Sequence, residues 1–288
     1  GKTSLGVTAP KPLILLSESQ GYLHIKQAAK RRGIPVPEAL LMEYLEDYRL
    51  VIRALQQDRS KPFRVVTSSG TVLHEQEEWP ESVVIDSATD MCRVARSELH
   101  HICPSQTGKD GLPFDSQRFW GVLQDKIHNI ILGFRDAPVH VLFLCLADDR
   151  TTGEGAAEVR AVKPQMAMKK LPGLLSASCN LQGHSYRTQV VKDGAPRIVF
   201  GVTFSGPEHL ALKPCAPLRS REVPDFSAWV SAVREHVEPV SEAPAPSNEE
   251  VTAPHSGPTE VSRSEEEPAK KPKKTSKKTS PKTVKEVA

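Results

Sequence analysis

Apolar residues follow two alternating rhythms along this chain. Short, uninterrupted runs occur at Pro12-Leu13-Ile14-Leu15-Leu16, Val83-Val84-Ile85 and Val139 to Leu146. Their length and aliphatic content are those of strands buried on both faces. Between the runs, apolar positions return every three or four residues. Tyr48, Val51, Ile52 and Leu55 fall on one helical face; so do Phe119, Val122, Leu123, Lys126, Ile127, Ile130 and Ile131. The pattern predicts strands over 12–16 and 83–86, with Glu18 and Asp86 at their carboxyl ends. Residues 39–42 read as a strand or as the opening of the next helix. Helices are expected over 25–32 (stopped by Gly33), 47–57, 88–100, 114–134 and 226–237. Phe63 to Val72, with Ser68-Ser69-Gly70 inside it, reads as a hairpin. The strand from Val139 to Leu146 is the most apolar, and 159–162, 185–191 and 198–204 are further strands. Strands alternating with helices predict an α/β fold with a mainly parallel sheet flanked by helices.

The rhythm stops near Val237. Residues 238–288 are rich in Pro, Ser, Glu, Ala and Lys and hold no aromatic residue. Such a segment has too little apolar surface to offset its ordering entropy, which predicts a disordered tail after a folded core of residues 1–237. The tail is split in charge. Glu238 to Glu267 is acidic, ending in Glu265-Glu266-Glu267, and Lys270 to Lys285 is basic. The acidic part reads as a tether able to shield the lysines. Lys270-Lys271-Pro272-Lys273-Lys274 also fits the pattern of a nuclear-localisation signal.

Composition narrows the picture a little further. No apolar run approaches the roughly 20 residues of a membrane span, and no signal peptide is visible. The five cysteines are scattered, and none forms C-x-x-C or completes a zinc pattern with His. They read as reduced thiols, mostly buried, in a cytosolic protein. His100 and His101 follow a helix without a third ligand and read as surface residues. The net charge of +3 is too small to imply nucleic acid by itself.

The chemistry begins at the first residues. Gly1-Lys2-Thr3-Ser4 matches the second half of the phosphate loop G-x-x-x-x-G-K-[ST]. In that loop the Lys reaches the β/γ-phosphates and the hydroxyl ligates their magnesium ion. The tetrapeptide opens a short helix that ends before Pro10, and a helix N-terminus adds N–H donors for phosphate. An acidic residue after an apolar β-branched run, as at Asp86, is the Walker B arrangement, whose carboxylate holds magnesium. Glu18, at the end of the neighbouring strand, is placed to orient or deprotonate the attacking water. In an α/β sheet of this kind, ligands sit outside the carboxyl ends of the strands, so the three pieces are expected to converge there.

These residues carry a resemblance. Leu15-Leu16-Ser17-Glu18 soon after Gly-Lys-Thr, and Val83-Val84-Ile85-Asp86-Ser87, resemble the catalytic-carboxylate and Walker B strands of RecA-like ATPases. More narrowly, the chain is similar to phage-encoded RecA-like nucleotide-binding proteins of the single-strand annealing and recombination kind. The matching stretches are 1–12, 83–91, 119–136 and 139–147, with looser matches at 164–175 and 218–226. The first half of the phosphate loop and the strand before it are not in this sequence. The resemblance implies a RecA-like P-loop NTPase core, ATP and Mg2+ as ligands, hydrolysis, and action on single-stranded DNA. It also implies a homo-oligomer, a single-strand-binding protein as a further partner, and a location in the cytoplasm of a bacterial host. It suggests Asp148 for the sensor position, and Arg219, Arg221 or Arg150 for an arginine that reaches a neighbouring subunit's γ-phosphate. Lys163, Lys169 and Lys170 read as a flexible basic loop able to track a DNA backbone. The alternative is a DNA- or partner-binding module that keeps the fold without hydrolysing ATP; a small-molecule kinase is a third reading, weakened by the lack of an arginine-rich lid.

Overall fold

The computed structural model describes residues 2–102, 116–152, 159–192, 195–205, 210, 212–215 and 217–237. The predicted disorder of residues 238–288 therefore lies outside the described residues, as does Cys103.

A short helix, α1 (Lys2–Gly6), leads into β1 (Pro12–Leu16). Helix α2 (Gly21–Arg32) ends at Gly33, whose φ of 65° is the left-handed conformation that closes helices and that glycine adopts without steric cost. Strand β2 (Glu38–Leu41) follows, then α3 (Leu45–Leu55). The start of α3 is capped twice. Asp47 accepts from the Glu43 and Tyr44 N–H groups, each at 2.8 Å, and Glu98 accepts from the Leu45 N–H at 2.7 Å. A hairpin of β3 (Phe63–Val66) and β4 (Val72–Gln76) precedes β5 (Ser82–Asp86). Two long helices, α4 (Ala88–Ile102) and α5 (Ser116–Arg135), lead to β6 (His140–Leu144). The remainder comprises β7 (Ala147–Thr152), β8 (Val159–Pro164), α6 (Leu171–Ser178), β9 (His184–Lys192), β10 (Ala195–Thr203), β11 (Arg221–Glu222) and α7 (Phe226–Val237).

The centre is a four-stranded, fully parallel sheet in the order β2-β1-β5-β6. Alternation along β1 and β5 explains why the sequence reads as continuous apolar runs. Leu13, Leu15, Val83 and Ile85 belong to a core built with α3, α4 and α5. Ile14, Leu16 and Val84 belong to a second core with Leu5, Val7, Ile25 and Trp229, from α1, α2 and α7 and the turn after α1. Each fully buried aliphatic side chain contributes about 1.5–3 kcal/mol, so both faces must be covered for the sheet to persist. The expected parallel α/β sheet with flanking helices is what the protein has.

The polar segments depart from expectation. The strand predicted over 139–146 ends at Leu144, and Ala147 turns into β7, which pairs antiparallel with β8. Lys163 lies in β8 rather than in a flexible loop, and Lys169 and Lys170 stand exposed just before α6. Helix α6 was not expected, because Pro172 and Gly173 disfavour helix. Pro is tolerated in a first turn, however, and Leu171 and Leu175 anchor this helix in the core. Strands β9, β10 and β11 form a separate antiparallel sheet. His100 is not a plain surface residue: its ring lies 4.7 Å from that of Phe119.

Candidate functional site

The parallel register sets Leu41, Leu16, Asp86 and Leu144 in one row across the sheet. All four strands therefore present their carboxyl ends at one edge. Helix α1 crosses the face of β5 and β6 close to this edge. A Cβ on Gly6 would come within 2.9 Å of Val84 and 3.4 Å of Leu144, so only glycine lets the helix sit this low. The far end of α1 is fixed as well: Thr8 accepts through its hydroxyl from the Phe226 N–H at 2.8 Å, and its carbonyl accepts from Ser227 Oγ at 2.6 Å. These bonds tie α1 to the start of α7.

This placement brings together two residues 83 positions apart. The Thr3 hydroxyl donates to Asp86 Oδ2 at 2.7 Å, in a half-buried setting. Lys2, one residue earlier, lines a groove of about 750 Å³ along the free side of β6. Its ammonium is close enough to oppose the rise of the Cys145 thiol, which burial and the neighbouring Cys92 and Cys179 thiols push up to about 12. Lys2 lines the groove together with Leu144 and Cys145, at the carboxyl end of β6. The same groove is lined by Arg135, Lys163, Arg187 and Arg234, and by no Asp or Glu among the described residues. The groove runs the length of β6: Arg135 ends α5 and Arg234 bonds His140 at 2.9 Å, both at the amino end of the strand, whereas Lys2 belongs to α1.

Neighbouring contacts hold the edge in place. The Ser17 N–H donates to the Asp86 carbonyl at 3.3 Å, and the Met42 N–H to the Leu16 carbonyl at 2.7 Å, which extends pairing just past the strands. Ser17 Oγ and the buried Tyr48 hydroxyl share a hydrogen bond of 2.8 Å. Thr89 Oγ1 accepts from the Leu146 N–H at 3.0 Å and donates to the Gln165 carbonyl at 2.8 Å. That hydroxyl links the start of α4 to the turns beyond β6 and β8. Neither Tyr48 nor Thr89 was anticipated, since nothing local in the sequence marks partners so far apart.

The chain matches no family model, no curated protein and no solved structure.

The other expected residues are placed as follows. Glu18 is exposed in the turn between β1 and α2, one residue after Ser17. Ser4 is half-buried in α1, and Gly1 lies outside the described residues. Asp148 is the residue suggested for the sensor position, and Arg150 is one of those suggested for the arginine. Both belong to β7, where Asp148 is opposite Lys163 and Arg150 opposite Ala161. Antiparallel pairing, rather than apolar pattern, makes this polar segment a strand. The Arg219 N–H donates to Glu222 at 2.9 Å, and Arg221 pairs with Thr203 in β11. Both arginines are exposed and are carried by the small antiparallel sheet rather than by the parallel one.

The Thr3–Asp86 pair can be tested against a magnesium ion. Adjacent ligands in an octahedron with bonds of about 2.0–2.1 Å stand about 2.9 Å apart. The observed 2.7 Å between Thr3 Oγ1 and Asp86 Oδ2 fits two such positions. No cluster of three or more His, Cys, Asp or Glu able to hold a metal occurs among the described residues. A metal here would thus take most of its ligands from water or a bound phosphate, as Mg2+ commonly does.

Proposed function

We propose that this protein is a RecA-like P-loop NTPase that binds Mg-ATP at the carboxyl edge of its parallel sheet, hydrolyses it, and acts on single-stranded DNA. The observation that carries the reading is the Thr3–Asp86 hydrogen bond of 2.7 Å, with Lys2 alongside. It brings together a threonine and a strand-end aspartate that lie 83 positions apart in sequence. Lys2 neutralises β/γ-phosphate charge, Thr3 and Asp86 hold Mg2+, and Glu18 orients the attacking water. Magnesium supplies charge neutralisation on the phosphate oxygens when bound.

Among the described residues β6 is paired on one side only, beside the groove that Lys2 lines. A parallel edge with this composition is normally covered. The context we propose is phage recombination, repair or replication. A homo-oligomer would let Arg219 or Arg221 approach a neighbouring γ-phosphate.

Turnover of ATP by the full-length protein, with and without single-stranded DNA, tests this. Lys2→Ala and Glu18→Gln should each abolish turnover, and Glu18→Gln should still bind nucleotide. Unchanged turnover in both variants contradicts the site. Binding of single strands at one affinity with and without ATP, and no phosphate release, selects the non-hydrolysing module instead.

A further inference from the structure

The β9–β10 hairpin carries apolar side chains that the core does not use. Val191 is 75% exposed, Ile198 64%, Phe200 50% and Val199 44%. Strands of nine residues make the hairpin about 30 Å long. Directly opposed residues of an antiparallel pair share a face. One face therefore holds Arg187 opposite Phe200, Gln189 opposite Ile198, and Val191 opposite Pro196. Toward the root, Val202 on this face is buried in the core. Arg187 and Phe200 stand at the rim of the groove that Lys2 lines. Gly201 stiffens the ribbon from behind: a Cβ there would lie 2.6 Å from the Tyr186 ring, so the ring rests directly on the backbone.

The charge of the hairpin identifies its occupant. Neither strand contains Asp or Glu; Arg187 lies on this face, and Lys192 and Arg197 lie on the opposite face of the same ribbon. A second copy docking edge to edge through β9 would bring like charges together, which is unfavourable. A polyanion has the complementary charge. Flat apolar groups beside a guanidinium are also what a single strand uses: bases stack on the ring while arginine meets phosphate. We infer that the Arg187–Phe200 face of the β9–β10 hairpin is a binding surface for single-stranded nucleic acid, with Phe200 and Ile198 against bases and Arg187 on the backbone. The inference rests on the single-strand reading proposed above and assigns that partner a place.

The test uses the full chain without ATP and an oligo(dT) carrying one 2-aminopurine. Phe200→Ala should weaken binding about tenfold, as for loss of one stacked base, and should abolish the 2-aminopurine emission change. Phe200→Tyr should retain both. Arg187→Ala should lower the slope of log affinity against log salt by roughly 0.7, the release expected for one phosphate contact. The lysine-rich end of the chain cannot produce the emission change that depends on Phe200. Wild-type binding with unaltered emission and affinity in Phe200→Ala and Arg187→Ala overturns the hairpin surface and leaves the ATPase reading standing. An absence of wild-type binding, with ATP turnover intact, overturns the single-strand reading itself. Loss of an oligomer in Phe200→Ala on sedimentation, with DNA binding unchanged, assigns the face to a second copy and also overturns the inference.

Discussion

Thr3 and Asp86 gain their meaning from each other. A lone threonine hydroxyl or strand-end aspartate is commonplace, but a 2.7 Å hydrogen bond between them at the end of a buried strand is a specific arrangement. Replacing Lys2 with Ala or Glu18 with Gln should lower ATP turnover by about 10²–10⁴-fold, the range for loss of a positioned catalytic group; a steady-state phosphate-release assay measures it. A different prediction concerns pH. Burial holds the Cys92 thiol up at about 11, from an ordinary 9.0, and raises the Tyr48 phenol too. The folded state keeps these protons after the unfolded state has begun to lose them. Stability should therefore be complete below about pH 9 and should fall as pH rises through the window from about 9 to 11. Urea midpoints at pH 8 and pH 10.5 should show the decline, and Cys92→Ala should make it shallower; an identical decline in the variant would remove Cys92 as a cause. At this scale the approach of Thr3 to Asp86 was legible, because a helix opening before β1 and an aspartate ending a buried strand are expected at the same sheet edge. The Ser17–Tyr48 and Thr89–Leu146 contacts were not, because hydrogen bonds across 31 and 57 positions leave no periodic trace.

The elements follow from burial more than from propensity. β1 and β5 were legible because each is covered on both faces and so must be apolar throughout. β7 was not, since Ala147-Asp148-Asp149-Arg150-Thr151-Thr152 has no alternation and becomes a strand through its pairing with β8. Helix α6 was hidden by its own Pro172 and Gly173. Gly6 shows how an element positions the site. Gly6→Val would force branched atoms against Val84, from which even a Cβ stands only 2.9 Å away, and lift α1 from the sheet. The expected cost is about 1–3 kcal/mol in urea unfolding, as for other overpacked contacts. Nucleotide binding should fall in step, because Thr3 would leave Asp86. Thr8→Val tests the other end of the same helix. It removes the acceptor of the Phe226 N–H and should cost about 1–2 kcal/mol in the same measurement.

The described residues form a parallel sheet with helices on both faces, an antiparallel hairpin of β3 and β4 before β5, and further antiparallel strands after β6. The sheet order places β1 beside β5, which is why Glu18 and Asp86, 68 positions apart by number, belong to one edge. The parallel direction of the strands, which sets their carboxyl ends at one edge, was legible before the strand order was. The β9–β10–β11 sheet was not, because pairing among short strands is set by register and turns rather than by composition. No described helix is long and apolar enough to cross a membrane. The central claim is that Lys2, Thr3 and Asp86 form a magnesium–nucleotide site. The most direct measurement is the affinity of the full-length protein for a fluorescent ATP analogue, with and without Mg2+, beside Lys2→Ala and Asp86→Ala. Binding that requires Mg2+ and weakens at least about tenfold in both variants, equivalent to about 1.4 kcal/mol, is the expected result. Equal affinity in all three proteins, or indifference to Mg2+, would contradict it.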